Sequence, residues 1–581
     1  MTWITHTMEL TIGDSNIQQY SITFDRKTVD PSVTLITWWC NKLRGLVLAS
    51  FPNLNTLVIG RASAMTNLDG IDVCTKLRKF ECRHGSLLTI KAIEGCTGLV
   101  EFDCSDNQLR DMKGLEKCKQ LQVLSVDGNQ LRSLVEVRDH TELVSISCSR
   151  NRIHSLQELL LCTKLMSLDC SYNELSSLRG LRLAVNLYKL VCSFNKLGTL
   201  NSVPCSMLTY LDCSNNELTS LSGISMCVNL TYLNCSDNCL GSIQDLSSCI
   251  NLTQLVCQNN SLTSLAGIGS CRGLTDLDCS FNLLESISDI SECSRLVRLC
   301  CSNNWLVMLK TIVKCYDLQY LDCSHNQLES ITPVHGLRDL TYLNCSHNKL
   351  SDLWDIAAYD ELPNPIVACR NLEVLDCSFN NIKELDGLEA CTGLVSLNCS
   401  HNQLMVLTQL ACPTSLRDLD CSHNQLLTIK ILITFSQVLA NYEANPYLPA
   451  VDEVYWHLAQ IKEKARLEAP VDIGSMIDGS ILALASDPEP EFSAEAVDMG
   501  ASAKAHLIEL CSRPNTHPVC DLTFQQFFAR VWVRIITIDA PELIYELEEI
   551  LESDYPFEDL FERVLYLLKG FYADITMPDI Y

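Results

Sequence analysis

Apolar side chains return in one frame along most of this chain, as in Leu208-x-x-Leu211-x-Cys213-x-x-Asn216-x-Leu218, followed by Leu221, Ile224 and Cys227. Alternation over Tyr210 to Ser214 predicts a short strand. Leu211 and Cys213 point inward, and Tyr210, Asp212 and Ser214 face outward. The polar marker of the frame is an asparagine: Asn107, Asn129, Asn151, Asn173, Asn195, Asn216, Asn238, Asn260, Asn282, Asn304, Asn326, Asn348, Asn380, Asn402 and Asn424. Thirteen of the fourteen steps between them are 21 or 22 residues, and the step from Asn348 to Asn380 is 32. Self-similarity at such a period predicts a solenoid whose units stack to bury a continuous core. The short amide at the marker suits a turn after the strand, bonded to the backbone of neighbouring turns as a ladder.

The frame covers residues 54–446 in about 17 repeats, the first ones degenerate, with an insertion near 351–367. Residues 1–53 lie outside it. There, Glu9 to Phe24 reads as a hairpin or short strands around Gly13-Asp14-Ser15-Asn16, and Val33 to Leu48 is apolar enough to cover the first repeat. At the far end Asn445 continues the ladder and Pro446 stops it. Residues 447–581 change to helical periodicity, with Val451–Leu467, Thr523–Ile538 and Ala540–Tyr572 as expected helices. This last segment holds 25 acidic and 9 basic residues, more than half of the chain's excess negative charge of 27.

The frame resembles the leucine-rich repeat superfamily, over roughly 54 to 446. Its period is similar to that of the internalins and of the protein phosphatase regulatory repeat proteins. The string Leu-Asp-Cys-Ser-x-Asn-x-Leu at Leu321–Leu328 and Leu419–Leu426 is similar to cysteine-bearing repeats of bacteria and of large DNA viruses of protists. The resemblance implies an α/β-type repeat solenoid, curved, with a parallel β-sheet on its concave face, followed here by a mainly α-helical C-terminal domain. It implies a binding scaffold and transfers no catalytic residue.

Cysteine changes the picture of the compartment. Of 33 cysteines, 28 fall on two lattice positions, three residues before the asparagine and near eleven after it. A leucine normally points inward at both, and free cysteine is a small hydrophobe that buries well, so packing is the reading. Val126 fills the first position once, as packing requires. So many unpaired thiols, with no signal-peptide pattern at the N-terminus, point to the cytoplasm or another reducing compartment; the alternative is a virion assembled in host cytoplasm. No apolar run reaches 18 residues, so no membrane span is expected. The acidic balance disfavours nucleic acid and anionic membranes and favours a basic protein partner.

Function would be written on the concave face. One outward column carries Tyr210, Tyr232, Tyr320 and Tyr342, two adjacent pairs of rings suited to binding. The next carries Asp212, Asp278 and Asp322 among others, and no two successive repeats both carry aspartate, which avoids like charges stacked about 4.8 Å apart. The reading that competes with a tyrosine-bearing acidic trough is a solvated face obeying stacking rules. The insertion adds a second candidate anchor in Trp354 and Tyr359, beside Pro363-Asn-Pro365. His325, His347, His401 and His423, each just before the asparagine, are read as ordinary turn residues. Cys511-x5-His517-x2-Cys520 supplies too few ligands for a zinc site. With no phosphate loop, nucleotide fingerprint, zinc-protease helix or nucleophile elbow, the expectation is no catalytic residue, metal or cofactor. The leading expectation is a non-catalytic protein–protein interaction scaffold. Its alternatives are a structural component of a large assembly such as a virion, and, from the resemblance to bacterial effectors, a repeat-linked ubiquitin ligase for which the tail is short.

Overall fold

Each repeat spends its period-two segment on a strand because the leucine and cysteine can bury one face while the intervening residues stay wet. In the computed structural model those strands form a single all-parallel sheet. The structure describes residues 8–13, 33–39, 51–331 apart from 52 and 61–63, 334, 336–353, 369–385, 388, 391–405, 407, 415–426 and 438–445. The expected helical domain at 447–581, including Cys511, His517 and Cys520, lies outside them, as do Trp354 and Tyr359.

The chain divides into two units, one of residues 1–403 with 409–421 and one of 404–408 with 422–581. In the first, the sheet begins with β1 (Met8–Gly13), β2 (Val33–Trp39), β3 (Thr56–Gly60) and β4 (Lys79–Arg83). It continues in three-residue strands from β5 (Glu101–Asp103) to β19 (Asp418–Asp420), one per repeat. Every strand pairs in parallel with its sequence neighbours, and an inward apolar residue stands opposite its equivalent, as Leu211↔Leu233, Leu277↔Leu299 and Phe80↔Phe102. Short 3-10 turns such as Gln244–Ser248 and Ser288–Glu292 form the return path, each burying one aliphatic residue, here Leu246 and Ile290. Twenty-two residues leave room for one such turn and not for a longer helix.

At the N-terminus β1 supplies one of the expected short strands; it pairs in parallel with β2, and β2 pairs in parallel with β3 and extends the sheet. A parallel neighbour satisfies the N–H and C=O groups that the first strand would otherwise present as a bare edge. In the second unit the last partial repeat is visible: β20 (Leu439–Asn441) leads to Asn445, whose Oδ1 accepts the Leu426 N–H at 3.0 Å.

The asparagine ladder forms as its chemistry requires. Asn282 Nδ2 donates to the carbonyls of Cys257, Cys279 and Ser280 at 3.0–3.1 Å, while its Oδ1 accepts the Leu262 N–H of the previous repeat at 3.0 Å. Asn304, Asn326 and Asn348 repeat that set. One side chain thus joins two turns of the solenoid.

The residue before each asparagine, read from sequence as a variable turn position, has a common constraint. Fifteen non-glycine residues there, and His84 at the equivalent place before Gly85, have φ between 51° and 56°, and Gly128 has 61°. A left-handed backbone is uncommon for side chains other than Asn, Asp and His. It is held because the turn backbone pairs between repeats, as His325 N–H to Ser346 O at 2.9 Å and Asn326 N–H to His347 O at 3.2 Å.

The cysteine lattice is packed inside. Among the described residues 27 cysteines are free, and all but Cys239 are buried. Burial pushes the thiols of Cys82, Cys118, Cys235 and Cys271 up to about 12, so the reactive thiolate is suppressed. The reading of the lattice cysteines as free, packed thiols fails at one pair. Cys205 is bonded to Cys227, with Cα atoms 4.3 Å apart. The step from Asn195 to Asn216 is one residue short, and Val203-Pro204 stands where other repeats have a 3-10 turn. Cys205 is left only half-buried, facing the equivalent sulfur of the next repeat.

Candidate interaction face of the sheet

From β4 to β19 the outward side of the sheet presents two columns. The first runs Lys79, Glu101, Val123, Ser145, Ser167, Lys189, Tyr210, Tyr232, Gln254, Asp276, Arg298, Tyr320, Tyr342, Val374, Ser396, Asp418. The second starts at Glu81 and ends at Asp420. Together they hold eleven carboxylates and three cations, so the face is acidic.

The second column does more than carry charge. In Asp212, Asp278 and Asp322, Oδ1 accepts both the N–H and the hydroxyl of the serine two residues on, at 2.6–3.1 Å. Asn234 and Asn344 do the same with Ser236 and Ser346. Ser214, expected on the outer face, does point that way, yet this bond draws it in to 4% exposure. Where the bond forms, the position takes Asp or Asn for a shared reason, an amide or carboxyl oxygen that closes the turn. Charge then decides which of the two stands next to which. Asn398 Nδ2 donates to Asp376 Oδ2 at 3.1 Å, so a neutral neighbour serves as a partner as well as a spacer. Where two acids do stack, at Glu81 and Asp103, Arg83 bridges them at 3.3 and 2.7 Å.

The four tyrosines come together as two pairs. Tyr210 and Tyr232, on β10 (Tyr210–Asp212) and β11 (Tyr232–Asn234), stack at 4.3 Å between centroids with planes 4° apart. Tyr320 and Tyr342, on β15 (Tyr320–Asp322) and β16 (Tyr342–Asn344), repeat the same values. In-register parallel pairing sets the ring spacing, since equivalent residues face each other directly. Partial burial and the neighbouring Tyr210 push the Tyr232 phenol up to about 12, so that ring carries a neutral hydroxyl at physiological pH. The sequence did not reveal what caps each pair. Lys189 Nζ lies 5.1 Å from the Tyr210 ring centre and the Arg298 guanidinium 3.8 Å from that of Tyr320. The signal was available, because each cation stands one repeat before its tyrosine pair.

A separate stack runs along the turn edge: His325, His347, Phe379 and His401 succeed each other at 3.9–4.1 Å, and Tyr172 lies 4.0 Å from Phe194. Among the described residues no group of three His, Cys, Asp or Glu side chains is placed to hold a metal ion. No described helix is long and apolar enough to cross a membrane.

The family profile described as leucine-rich repeats (2 copies) matches residues 206–248, 250–292, 316–364 and 370–411, each match spanning a pair of the units described above. Over these residues the chain is built of leucine-rich repeats. No curated protein sequence matches it. Solved leucine-rich repeat structures are similar in fold. A leucine-rich repeat protein of Leptospira interrogans is 21% identical, with a TM-score of 0.54, over 74% of this chain and 99% of its own. The Toll–Spatzle complex of Drosophila is 20% identical, with a TM-score of 0.55, over 72% of this chain and 61% of that one. The ectodomain of the Arabidopsis thaliana receptor kinase GASSHO1/SCHENGEN3, solved with Casparian strip integrity factor 2, is 18% identical, with a TM-score of 0.53, over 72% and 60%. At these identities the likeness is one of fold: a curved solenoid with a parallel sheet along one face.

Proposed function

We propose that this leucine-rich repeat solenoid is a non-catalytic scaffold whose outward sheet face takes up a basic segment of a protein partner. The supporting observation is the face itself: two outward columns with eleven carboxylates against three cations, interrupted by paired tyrosine rings. Acidic residues arrayed on a rigid sheet steer and retain a cationic chain, and exposed tyrosines add contact area at small entropic cost. Leucine-rich repeat structures solved as protein complexes make a protein partner the natural class. The meeting place is proposed to be a reducing compartment, a reading supported by the 27 free thiols among the described residues.

The test exploits the turn chemistry. Asp212→Asn, Asp278→Asn and Asp322→Asn together remove three charges while keeping the Oδ1 that closes each turn, as Asn234 does naturally. A nonaarginine peptide titrated into the full chain should bind, and the triple variant should bind it several-fold more weakly with a flatter salt dependence. Failure of the peptide to bind at 50 mM salt, or equal binding by the triple variant, overturns the proposal.

A further inference from the structure

The two tyrosine pairs are copies of one larger arrangement, five strands apart. At one end β9 (Lys189–Val191), β10 and β11 present Lys189/Val191, Tyr210/Asp212 and Tyr232/Asn234. At the other, β14 (Arg298–Cys300), β15 and β16 present Arg298/Cys300, Tyr320/Asp322 and Tyr342/Asn344. Cation, ring, ring in one column and apolar, acid, amide in the other match position for position. Leu230–Ser236 and Leu340–Ser346 are the same seven residues, Leu-Thr-Tyr-Leu-Asn-Cys-Ser. The likeness is confined to the sheet face and the core. On the turn edge the two copies differ, Asn215 and Asp237 against His325 and His347, and Glu217 and Cys239 against Gln327 and Lys349. No other described strand of the column carries tyrosine.

We infer that these are two equivalent docking stations for one extended basic polypeptide that carries two clusters of basic side chains. The inference rests on the acidic-face reading above and adds valency and spacing to it. Five strand spacings of about 4.8 Å put the stations roughly 24 Å apart on one rigid sheet. Each station already holds a cation against one outer ring face, at 5.1 Å in one and 3.8 Å in the other, which shows what the ring pair attracts. The opposite faces, on Tyr232 and Tyr342, look toward Gln254 and Val374, which carry no charge. Asp212 and Asp322 supply the counter-charge. Their Oδ1 atoms are committed to Ser214 and Ser324, and among the described residues nothing donates to Oδ2 of either. A guanidinium or ammonium group on the partner therefore meets a ring face and a carboxylate oxygen at each station. Two such contacts on one chain reinforce each other through effective concentration only if the partner spans the gap.

The probes are synthetic peptides with Arg-Arg clusters: one cluster alone, or two joined by a rigid polyproline spacer. Eight prolines span about 24 Å and four about 12 Å, at 3.1 Å per residue. Isothermal titration of the full chain should show the single-cluster peptide binding at two per chain. The eight-proline peptide should bind at one per chain and at least tenfold more tightly, the four-proline peptide without that gain. Tyr210→Ala with Tyr232→Ala, or Tyr320→Ala with Tyr342→Ala, should each return the long peptide to single-cluster affinity. Should either double variant unfold, Gln254→Lys and Val374→Lys place a repelling charge beside the ring pairs without touching them, and each should do the same. An affinity indifferent to spacer length, or variants at only one station having any effect, overturns the two-station inference while single-cluster binding leaves the acidic-face reading standing. Absence of binding by every basic peptide overturns both.

Discussion

Asn282→Ala is the substitution that interrogates the fold most directly, because the structure says which bond the mutant loses outright. Asn282 Nδ2 approaches the carbonyls of Cys257, Cys279 and Ser280, but each keeps another donor. Asn260 Nδ2 donates to Cys257 O at 3.1 Å, Asn304 Nδ2 to Cys279 O at 3.0 Å, and Asn259 N–H to Ser280 O at 3.0 Å. The Leu262 N–H has no such reserve. Its acceptor is Asn282 Oδ1, in a buried turn. A buried donor left without a partner costs about 1–3 kcal/mol, and the net loss of the Nδ2 bonds adds roughly 1 kcal/mol. The expected cost is therefore about 2–4 kcal/mol, localised to two adjacent repeats.

Asn282→Asp sharpens the argument. It keeps an oxygen for Leu262 but aims a second, charged oxygen at three carbonyl oxygens. At neutral pH it should be less stable than alanine, and acid should recover part of the difference as the carboxyl protonates. Because a repeat array need not unfold in one step, the readout is amide exchange at Leu262 together with labelling of the flanking Cys257 and Cys279 thiols. Exchange at Leu262 unchanged in the alanine variant, or an aspartate variant more stable than alanine at pH 7, would refute the ladder's energetic role.

Thiol labelling gives a second check: in the native chain Cys239 should label rapidly and the 26 buried free cysteines slowly, while denaturation without reductant should expose all of the described cysteines except Cys205 and Cys227, as read by peptide mass spectrometry. Glu136 is buried at 7% exposure, and desolvation raises its pKa above the usual 4.5, so the folded state holds the proton more tightly than the unfolded one. Stability from this group is present below that unfolded value and is lost as pH rises through the folded one; Glu136→Gln should raise the melting temperature at pH 7 and leave it unchanged near pH 3. His140, wholly buried at a lattice position that most repeats fill with cysteine, is pushed below its usual 6.5 by desolvation and then by Lys119. It folds neutral, so its contribution is present above about 6.5 and lost as pH falls; His140→Cys should remove that acid-sensitive component from a pH series of melting curves.

The fold was legible because the asparagine and the inward leucines repeat in register, and register is what a parallel sheet needs. The left-handed turn was legible in principle as well. Eleven of the seventeen residues at that position are Asn, Asp, Gly or His, the types that tolerate a positive φ. The scatter of Phe, Tyr and Arg among them hid the signal, since those side chains are accepted only because the inter-repeat backbone bonds hold the turn. The Cys205–Cys227 bond was hidden for another reason. Most lattice cysteines stand next to another one repeat away, and only the shortened repeat distinguishes this pair. The parallel strands at the N-terminus lack the asparagine frame altogether, so short apolar runs there carried no information on direction.

The face of the sheet shows how far a sequence column can be pushed. Alternation of aspartate with neutral residues was read as avoidance of like charge, which is half of the physics. The other half is the Oδ1 bond to serine, which restricts the column to Asp or Asn wherever that serine closes the turn. Within that restriction each position chooses charge or no charge at almost no cost to the turn, so the pattern of aspartates is free to respond to something else. The first column has no such restriction, and it is there that cation, tyrosine and tyrosine recur together at a separation of five strands. A solenoid under packing constraint alone would repeat its outward residues every strand or not at all. A single recurrence at five strands follows neither from the 22-residue unit nor from the stacking of neighbours, and it sets the gap that the proposed two-cluster ligand has to span.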